Sequence, residues 1–461
     1  MKKEKTNSDD CVPFLPIVHQ ALSPLTSAFP RVTSFLYFCL IIFGMIMRND
    51  SYGVTAFIRA LGLGGSSYQS LIKHFERVPV CLDKLVELWC VSVFTMLGPL
   101  VYRVEGRPVL VGDSTKHHKR GRFMPCVKRL RASTKKASKA EMIDGHHVHV
   151  TGLLAGRGEK LFCIPLIARL CEGLKRSPSD KSSVLRKMLS IHQKIRLKEP
   201  CYAVFDRYYC AAHFIRSLLA EGHHIVVRVR SNAVCREGAD KIQVAKRAKE
   251  EEFTTIICPW DGVEVRIVVF DEFWERLKLV VRWVVIDHPS YNSPMLLLST
   301  DLKLSAETIL YSLYAPRFKI EVMFKALKHE LHAFMYRFWT GAQRKAPIVP
   351  RDTYTHRMTD EDREKVLSKI NSYNYFLQCA AVAQGILNII ALLYPQQVLR
   401  QTRHYYRTLR DLPPTEFITR NVLRYEVSQW LESKEIDSAF GKFLALLRKR
   451  DADSEEFKHA A

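Results

Sequence analysis

Tyr314, Arg317, Glu321 and Lys328 lie in the stretch Tyr314-Ala-Pro-Arg-Phe-Lys-Ile-Glu-Val-Met-Phe-Lys-Ala-Leu-Lys328, at offsets of 0, 3, 7 and 14 residues. At roughly 100° per residue, those offsets fall within about 60° of one another around a helix. A face carrying one hydroxyl, one carboxylate and two cations can hold a metal ion and grip a phosphate strand. A solvated, salt-bridging face has the same composition, so the pattern needs support from elsewhere in the chain. Ile320, Phe324, Leu327 and Leu331 form a core stripe on the opposite side. Proline is tolerated in a first turn, so Pro316 predicts a helix starting at about Ala315 with Tyr314 at its entrance.

Two further acids follow apolar runs. Arg107-Pro-Val-Leu-Val-Gly-Asp113-Ser-Thr and Cys201-Tyr-Ala-Val-Phe-Asp206-Arg each read as a short buried strand that ends on a carboxylate. With Glu321, they supply three carboxylates from distant parts of the chain. Such a set suits two divalent cations about 3.5–4 Å apart for in-line phosphoryl transfer. Oxygen ligands favour Mg²⁺ or Mn²⁺. Ser114 and Thr115 read as neighbours whose hydroxyls orient Asp113 or bond a phosphate oxygen. Asp301 is the rival fourth carboxylate, with strand termination as its simpler role.

These residues resemble those of DDE transposases of the bacterial insertion-sequence type, which carry a Tyr-x2-Arg-x3-Glu-x6-Lys (YREK) signature. Tyr314, Arg317, Glu321 and Lys328 match it without departure in spacing. Leu297-Leu-Ser-Thr-Asp-Leu302 and Gly121-Arg-Phe-Met-Pro-Cys-Val-Lys128 are similar to flanking segments of that family, and the resemblance covers about residues 107–340. It implies an RNase H-like fold, with Asp113, Asp206 and Glu321 as catalytic metal ligands for two Mg²⁺ (or Mn²⁺) ions. It also implies strand nicking at a transposon end, a freed 3′-hydroxyl that attacks the opposite strand or target DNA, and a homodimer when two ends are joined. By the same resemblance, Arg317 and Lys328 clamp phosphates and Tyr314 bonds one. An aromatic between the second and third acids would hold a flipped base, with Trp260 and Trp283 as candidates. Two rival functions remain open: a nuclease that joins nothing, and a non-catalytic DNA-binding descendant.

The elements that must position these groups read as α/β, with helical regions on both sides. Residues 1–105 are a helical N-terminal region with possible DNA-end binding, and 106–345 the catalytic domain. Within it, about 231–301 form a β-rich insertion whose clearest strands are Val263–Phe270 and Leu277–Asp287. Residues 346–461 are a helical C-terminal region, for dimerisation or DNA contact. Around the acids, His146–Leu154, Lys160–Ile167 and His224–Arg230 read as strands. A capped helix opens near Ser179, and an amphipathic helix spans Ala211–Ala220, giving β-β-β-α-β-α-β before the Glu321 helix. Gly53–Leu61 and Ser67–Arg77 fit either a helix-turn-helix meeting DNA through Tyr68, Gln69, Lys73 and His74, or a plain helix pair.

The formal net charge of +23 and a pI of about 9.5 favour a polyanion such as double-stranded DNA, bound with salt sensitivity. Lys116, Lys119, Arg120, Arg122, Lys128, Arg129, Arg131, Lys135, Lys136 and Lys139 concentrate that charge after Asp113. A second basic run lies near Arg400–Arg410. The apolar run Ser34–Met47 is too short to span a bilayer and reads as a buried helix. It lies too far along the chain, behind Asp9 and Asp10, for a signal peptide. A cytoplasmic, bacterial protein acting at the nucleoid without a membrane partner is expected. No Cys-x2-Cys pair occurs among the twelve cysteines, so most are expected to be reduced, buried thiols. His147 and His149 share a strand face, as DNA-facing or sheet-face histidines or as metal ligands. No Gly-x-Ser-x-Gly elbow is present, which leaves serine hydrolysis without support.

Overall fold

The computed structural model describes residues 13–132, 141–158, 160–236, 240–345, 347–402, 413–433 and 438–459. Lys135, Lys136, Lys139, Asp9, Asp10 and most of the Arg400–Arg410 run fall outside those residues. Five helices come first: α1 (Leu15–Leu22), α2 (Val32–Met47), α3 (Val54–Ala60), α4 (Gly65–Arg77) and α5 (Leu82–Leu97). Strands β1 (Arg103–Val104), β2 (Arg107–His118), β3 (Lys128–Arg131), β4 (Met142–Arg157), β5 (Lys160–Leu170) and β6 (Leu174–Lys175) follow. Helix α6 (Val184–His192), β7 (Tyr202–Phe205), α7 (Ala212–Ala220) and β8 (His224–Val229) then alternate. Next come β9 (Val234–Cys235), β10 (Ile242–Gln243), α8 (Val244–Arg247), β11 (Thr254–Ile257), β12 (Glu264–Trp274), β13 (Leu279–Asp287) and β14 (Met295–Ser299). The chain closes with α9 (Lys319–His329), β15 (Thr353–Tyr354), α10 (Asp360–Leu393), α11 (Pro395–Thr402), α12 (Glu416–Glu432) and α13 (Ala439–His459).

Eleven strands form one sheet in the order β11-β12-β13-β14-β8-β7-β2-β4-β3, with β1 added to β2 and β5 to β4. The β2–β7 and β7–β8 pairs are parallel. Parallel strands are covered on both faces, and all four residues of β7 are accordingly buried. The β-rich stretch after residue 231 is continuous with the central sheet. Because β14 pairs antiparallel with β8, strands β11–β14 prolong the central sheet. The mixed sheet with helical flanks agrees with the α/β expectation.

Two boundaries differ from the sequence reading. Strand β2 does not stop at Asp113 but runs on to His118, because β4 pairs with it from Leu110↔Leu153 through His118↔Gly145 and satisfies its backbone throughout. Helix α6 starts at Val184, five residues beyond Ser179, behind a Ser183 side chain that accepts the Arg186 N–H; the residues before it make a turn on Asp180. Helices α3 and α4 do form a pair joined by a glycine turn, with Gln69 and Lys73 exposed. His74, however, is buried and 3.0 Å from the Tyr375 hydroxyl, so it packs against α10 and is withdrawn from any DNA-reading role.

Strand β5 is an edge strand buried against helices, which leaves backbone groups to satisfy. Gln378 of α10 accepts from the Ala168 N–H and donates to the Leu166 carbonyl at 2.9 Å, and Asn374 accepts from the Leu170 N–H at 3.0 Å. Trp89 of α5 donates to the Pro165 carbonyl at 3.0 Å. Among the described residues, α10 is the one helix long and apolar enough to cross a membrane, and its apolar stretch is mostly buried inside the protein. The α2 residues Phe38–Met47 are buried, as the Ser34–Met47 reading expects.

Gly112 of β2 faces Phe205 of β7, and a Cβ there would lie 2.3 Å from the Phe205 ring. Gly112→Ala should therefore lower unfolding stability by about 1–3 kcal/mol in denaturant titration. Adding Phe205→Leu should restore part of the loss; no restoration would remove the ring contact as its cause.

Candidate active site

The register Gly112↔Phe205 between parallel strands sets the next residues, Asp113 and Asp206, side by side. Helix α9 brings Glu321 over them from its first turn, anchored by buried Ile320, Phe324 and Leu327, with Leu331 buried just beyond the helix. Arg317 Nη1 lies 3.4 Å from Asp113 Oδ2. Burial pushes the Asp113 carboxyl up to about 7. Arg317 and the Ser114 amide, 2.7 Å from Oδ1, pull the other way, while the charges of Glu321 and Asp206 add to the rise. Burial alone would lower the Arg317 guanidinium. The Tyr314 phenol and then Asp113, Asp206 and Glu321 hold it above its ordinary value instead. The three predicted acids and Arg317 thus act on one another across three segments.

The helix carrying this face does not begin at Ala315. A π-helical segment, Thr308–Tyr314, runs into a 3-10 turn, Ala315–Phe318, and then into α9. Pro316 has no N–H for the preceding turn, and the Tyr102 hydroxyl donates to the Ser312 carbonyl at 3.0 Å in its place. Proline therefore sits inside a continuous helical path. Such π segments recur at functional sites because they shift side chains around the axis. Tyr314 is buried, and Arg228 hydrogen-bonds its hydroxyl.

Other predicted phosphate contacts separate into two groups. Arg120 and Arg122 are exposed and line a groove of about 830 Å³ with His118, Phe123, Arg337 and Trp339. Lys328 lies beside His117, whose imidazole is lowered to about 4 by burial and by the charges of Lys119, Lys328 and His118. Lys119 also borders that groove, but its ammonium is turned inward, against the expected phosphate contact. Its ammonium is buried, donates to the Phe334 and Tyr336 carbonyls and sits 3.7 Å from the Tyr336 ring centroid. Burial and the charge of Arg337 lower it to about 7. Lys116 is on the face of β2 opposite Asp113 and donates to the Arg131 carbonyl at 2.7 Å.

Trp260 and Trp283 part company. Trp283 is fully buried, edge-on to Trp274 at 6.0 Å. Trp260 is 39% exposed and lines a cavity of about 200 Å³ with Arg228, Tyr291, Tyr314, Arg317 and Phe318. The sequence reading missed Arg228, Tyr291, Arg337 and Trp339. Arg228 carried a signal, being a cation that interrupts the otherwise apolar run Ile225–Val229. Asp301 lies at the other end of β7, accepting from the Tyr202 hydroxyl at 2.7 Å, and is no rival to the triad.

Ser114 assists Asp113 through its backbone amide, not its hydroxyl, which points to the opposite face and lies 2.9 Å from His147 Nε2. The histidine cluster faces inward. His147 also meets Glu172 at 2.9 Å, His149 meets the Tyr209 hydroxyl at 3.0 Å, and His146 meets the Tyr336 hydroxyl at 2.8 Å. DNA-facing roles for His147 and His149 are thereby withdrawn. The eleven described cysteines are free thiols and most are buried, as expected.

Residues 178–349 match the family described as "Transposase DDE domain". The match spans Asp206 and Glu321 and begins after Asp113, and it supports a DDE-type transposase. Among curated proteins, none matches the chain. A solved structure of the piggyBac transposase synaptic complex with hairpin DNA aligns with a TM-score of 0.37 and 12% identity, covering 93% of this chain and 87% of that one.

Folded, Asp113 keeps its proton to about pH 7; unfolded, it loses it near its ordinary 3.8. Its ionisation therefore erodes stability as pH rises between those values, and the loss is complete above the higher one. In metal-free buffer, Asp113→Asn should melt above wild type at about pH 8, with the gap closing towards about pH 4. A gap independent of pH would show that carboxylate charge is not its source.

Proposed function

We propose that the chain is a DDE transposase that cuts DNA at the ends of a mobile element and joins the freed 3′-ends to target DNA. The observation that carries this reading is the convergence of Asp113, Asp206 and Glu321 around Arg317, with the Asp113 carboxyl pushed up to about 7. Three carboxylates offset by one guanidinium leave surplus negative charge on oxygen donors, which fits Mg²⁺ or Mn²⁺. Asp113, Asp206 and Glu321 would hold two such ions. Bound there, the pair supplies Lewis-acid activation of the attacking oxygen and neutralisation of charge on the leaving 3′-oxygen.

The strand order β5-β4-β2-β7-β8, with its two antiparallel and two parallel pairings, supports an RNase H-like core beneath the acids. The chain's own groups would do the positioning. Arg317 bridges Asp113 and the approaching phosphate, Tyr314 is held by Arg228 to bond a phosphate oxygen, and Lys328 extends the cationic track towards Arg120 and Arg122. Trp260, with Tyr291 and Phe318 beside it, offers a ring face for an unstacked base in the 200 Å³ cavity. Double-stranded DNA is the partner in this reading, and joining two ends calls for a homodimer.

The test is cleavage of a labelled duplex bearing the element's own end, with Mg²⁺, by wild type and Glu321→Ala. Wild type should leave a 3′-hydroxyl. The variant should lose cleavage by about three orders of magnitude or more while still binding DNA. Cleavage by wild type without joining to target would identify a nuclease. Equal binding with cleavage by neither would identify a DNA-binding descendant.

A further inference from the structure

Outside the carboxylate site, a different set of donors meets at the tip of the sheet extension. The hairpin between β11 and β12 carries Cys258-Pro-Trp-Asp261-Gly262, and the loop after β13 begins at His288. Single ligand atoms of Cys258, Asp261 and His288 all lie within 4.8 Å of one another. Cys258 and His288 are buried, whereas Asp261 faces solvent. His288 Nε2 is 2.8 Å from Asp261 Oδ2.

The hairpin has the local geometry of a metal knuckle. The Cys258 sulfur receives the backbone N–H groups of both Trp260 and Asp261, which favour a thiolate; without metal, burial and the Asp261 carboxylate outweigh them and push the thiol up to about 11. The turn closes with the Gly262 N–H on the Cys258 carbonyl at 3.0 Å and the Cys258 N–H on the Val263 carbonyl at 2.8 Å. Gly262 adopts φ +72°, which favours glycine at that position.

We propose that Cys258, Asp261 and His288 form a second metal site, for a borderline-soft divalent cation of the Zn²⁺ class. Thiolate, imidazole and carboxylate are its usual ligands, and the solvent side at Asp261 leaves a water the fourth tetrahedral position. This donor set is chemically unlike the three carboxylates, so it discriminates against Mg²⁺.

Loading balances as Zn²⁺ plus thiol, carboxylate and neutral imidazole, giving a site of net zero charge and one released proton. Nε2 carries the imidazole proton without metal, because Nδ1 accepts the Ser290 N–H at 3.1 Å. Binding moves that proton to Nδ1, and Ser290, in an exposed loop, turns its amide away. The metal would tie the hairpin holding Trp260 to the loop holding Tyr291. Trp260 Nε1 already donates to the Tyr291 hydroxyl at 3.2 Å, and Tyr291 stacks on His288 at 4.3 Å. The aromatic wall of the 200 Å³ cavity beside Tyr314 and Arg317 would thereby be fixed by metal.

The test uses full-length protein stripped with chelator and desalted, titrated with Co²⁺ and then with Zn²⁺, and read by absorption. Wild type should take up one equivalent with a thiolate-to-cobalt charge-transfer band that Zn²⁺ abolishes. Cys258→Ser should lose the band, and Asp261→Asn, a surface change that spares the fold, should weaken binding about tenfold or more. The triple variant Asp113→Asn, Asp206→Asn, Glu321→Gln should keep the band. That arm separates this site from the carboxylate site and needs no DNA activity. The proposal is overturned if wild type shows no band in excess Co²⁺, if the band survives Cys258→Ser, or if it vanishes in the triple variant.

Discussion

Like charges brought together repel, and the architecture around Asp113, Asp206 and Glu321 exists against that repulsion. None of the three acids could stay near the others on a flexible loop. Asp113 is held mid-strand by its pairing with β4, one residue past the end of the β7 ladder; Asp206 follows a strand with every residue buried, and Glu321 rides a helix fixed by its apolar stripe. Arg317 offsets part of the charge and is itself held above its ordinary basicity by the same groups. Its attraction to Asp113 and its burial are two sides of one arrangement. Desolvation strengthens the ion pair and also raises the energy of the ionised Asp113 carboxylate, which Arg317 offsets only in part.

That sheet has to be stiff, and its stiffness comes from how its β5 edge is finished. An edge strand packed against helices would strand its amides and carbonyls in an apolar setting. Helix α10 resolves this by carrying Asn374 and Gln378 through an otherwise apolar stretch, each spent on the β5 backbone. Helix α5 adds Trp89, and the close seat it needs against α10 is available only because position 385 is glycine; a Cβ there would lie 2.3 Å from the Trp89 ring. The helices before and after the sheet are therefore parts of the same platform. An apolar helix with buried amides fits such a platform, since each amide has a backbone partner waiting.

Much of the platform was legible in the sequence, because it rests on local patterns. Apolar runs ending in acids gave β7 with Asp206, and the 3.6-residue stripe gave the inner face of α9. What escaped was set by partners far away in the chain. Strand β2 continues through polar Lys116 and His117 because β4 takes its hydrogen bonds, and no local pattern announces that. Pro316 read as a helix start until the hydroxyl of Tyr102, over two hundred residues earlier, filled the gap it leaves. Lys119 looked like one more cation in a basic run, yet the carbonyls of Phe334 and Tyr336 draw it inside. The Cys258 knuckle was passed over for another reason. A search for paired cysteines does not register a carboxylate in the second ligand position, although the proline and glycine of the turn are both present.

The extension of the sheet by β11–β14 bears on how the site can work. A β-subdomain on a hinge could close over a substrate independently of the acids. Strand β14, paired along β8, cannot do so without breaking ladder hydrogen bonds beside β7. The strands leading to Trp260 and Tyr291 therefore stand at a fixed offset from Asp206, and adjustment is confined to the hairpin and loop tips that carry these two residues. Arg120, Arg122 and Trp339 lie outside the strands and expose their side chains along the groove. Under the proposed function, the molecule would combine rigid chemistry at the sheet with salt-sensitive contacts along the groove. Precision is needed where oxygen ligands converge on a reacting phosphate, and tolerance where a long polyanion has only to be held.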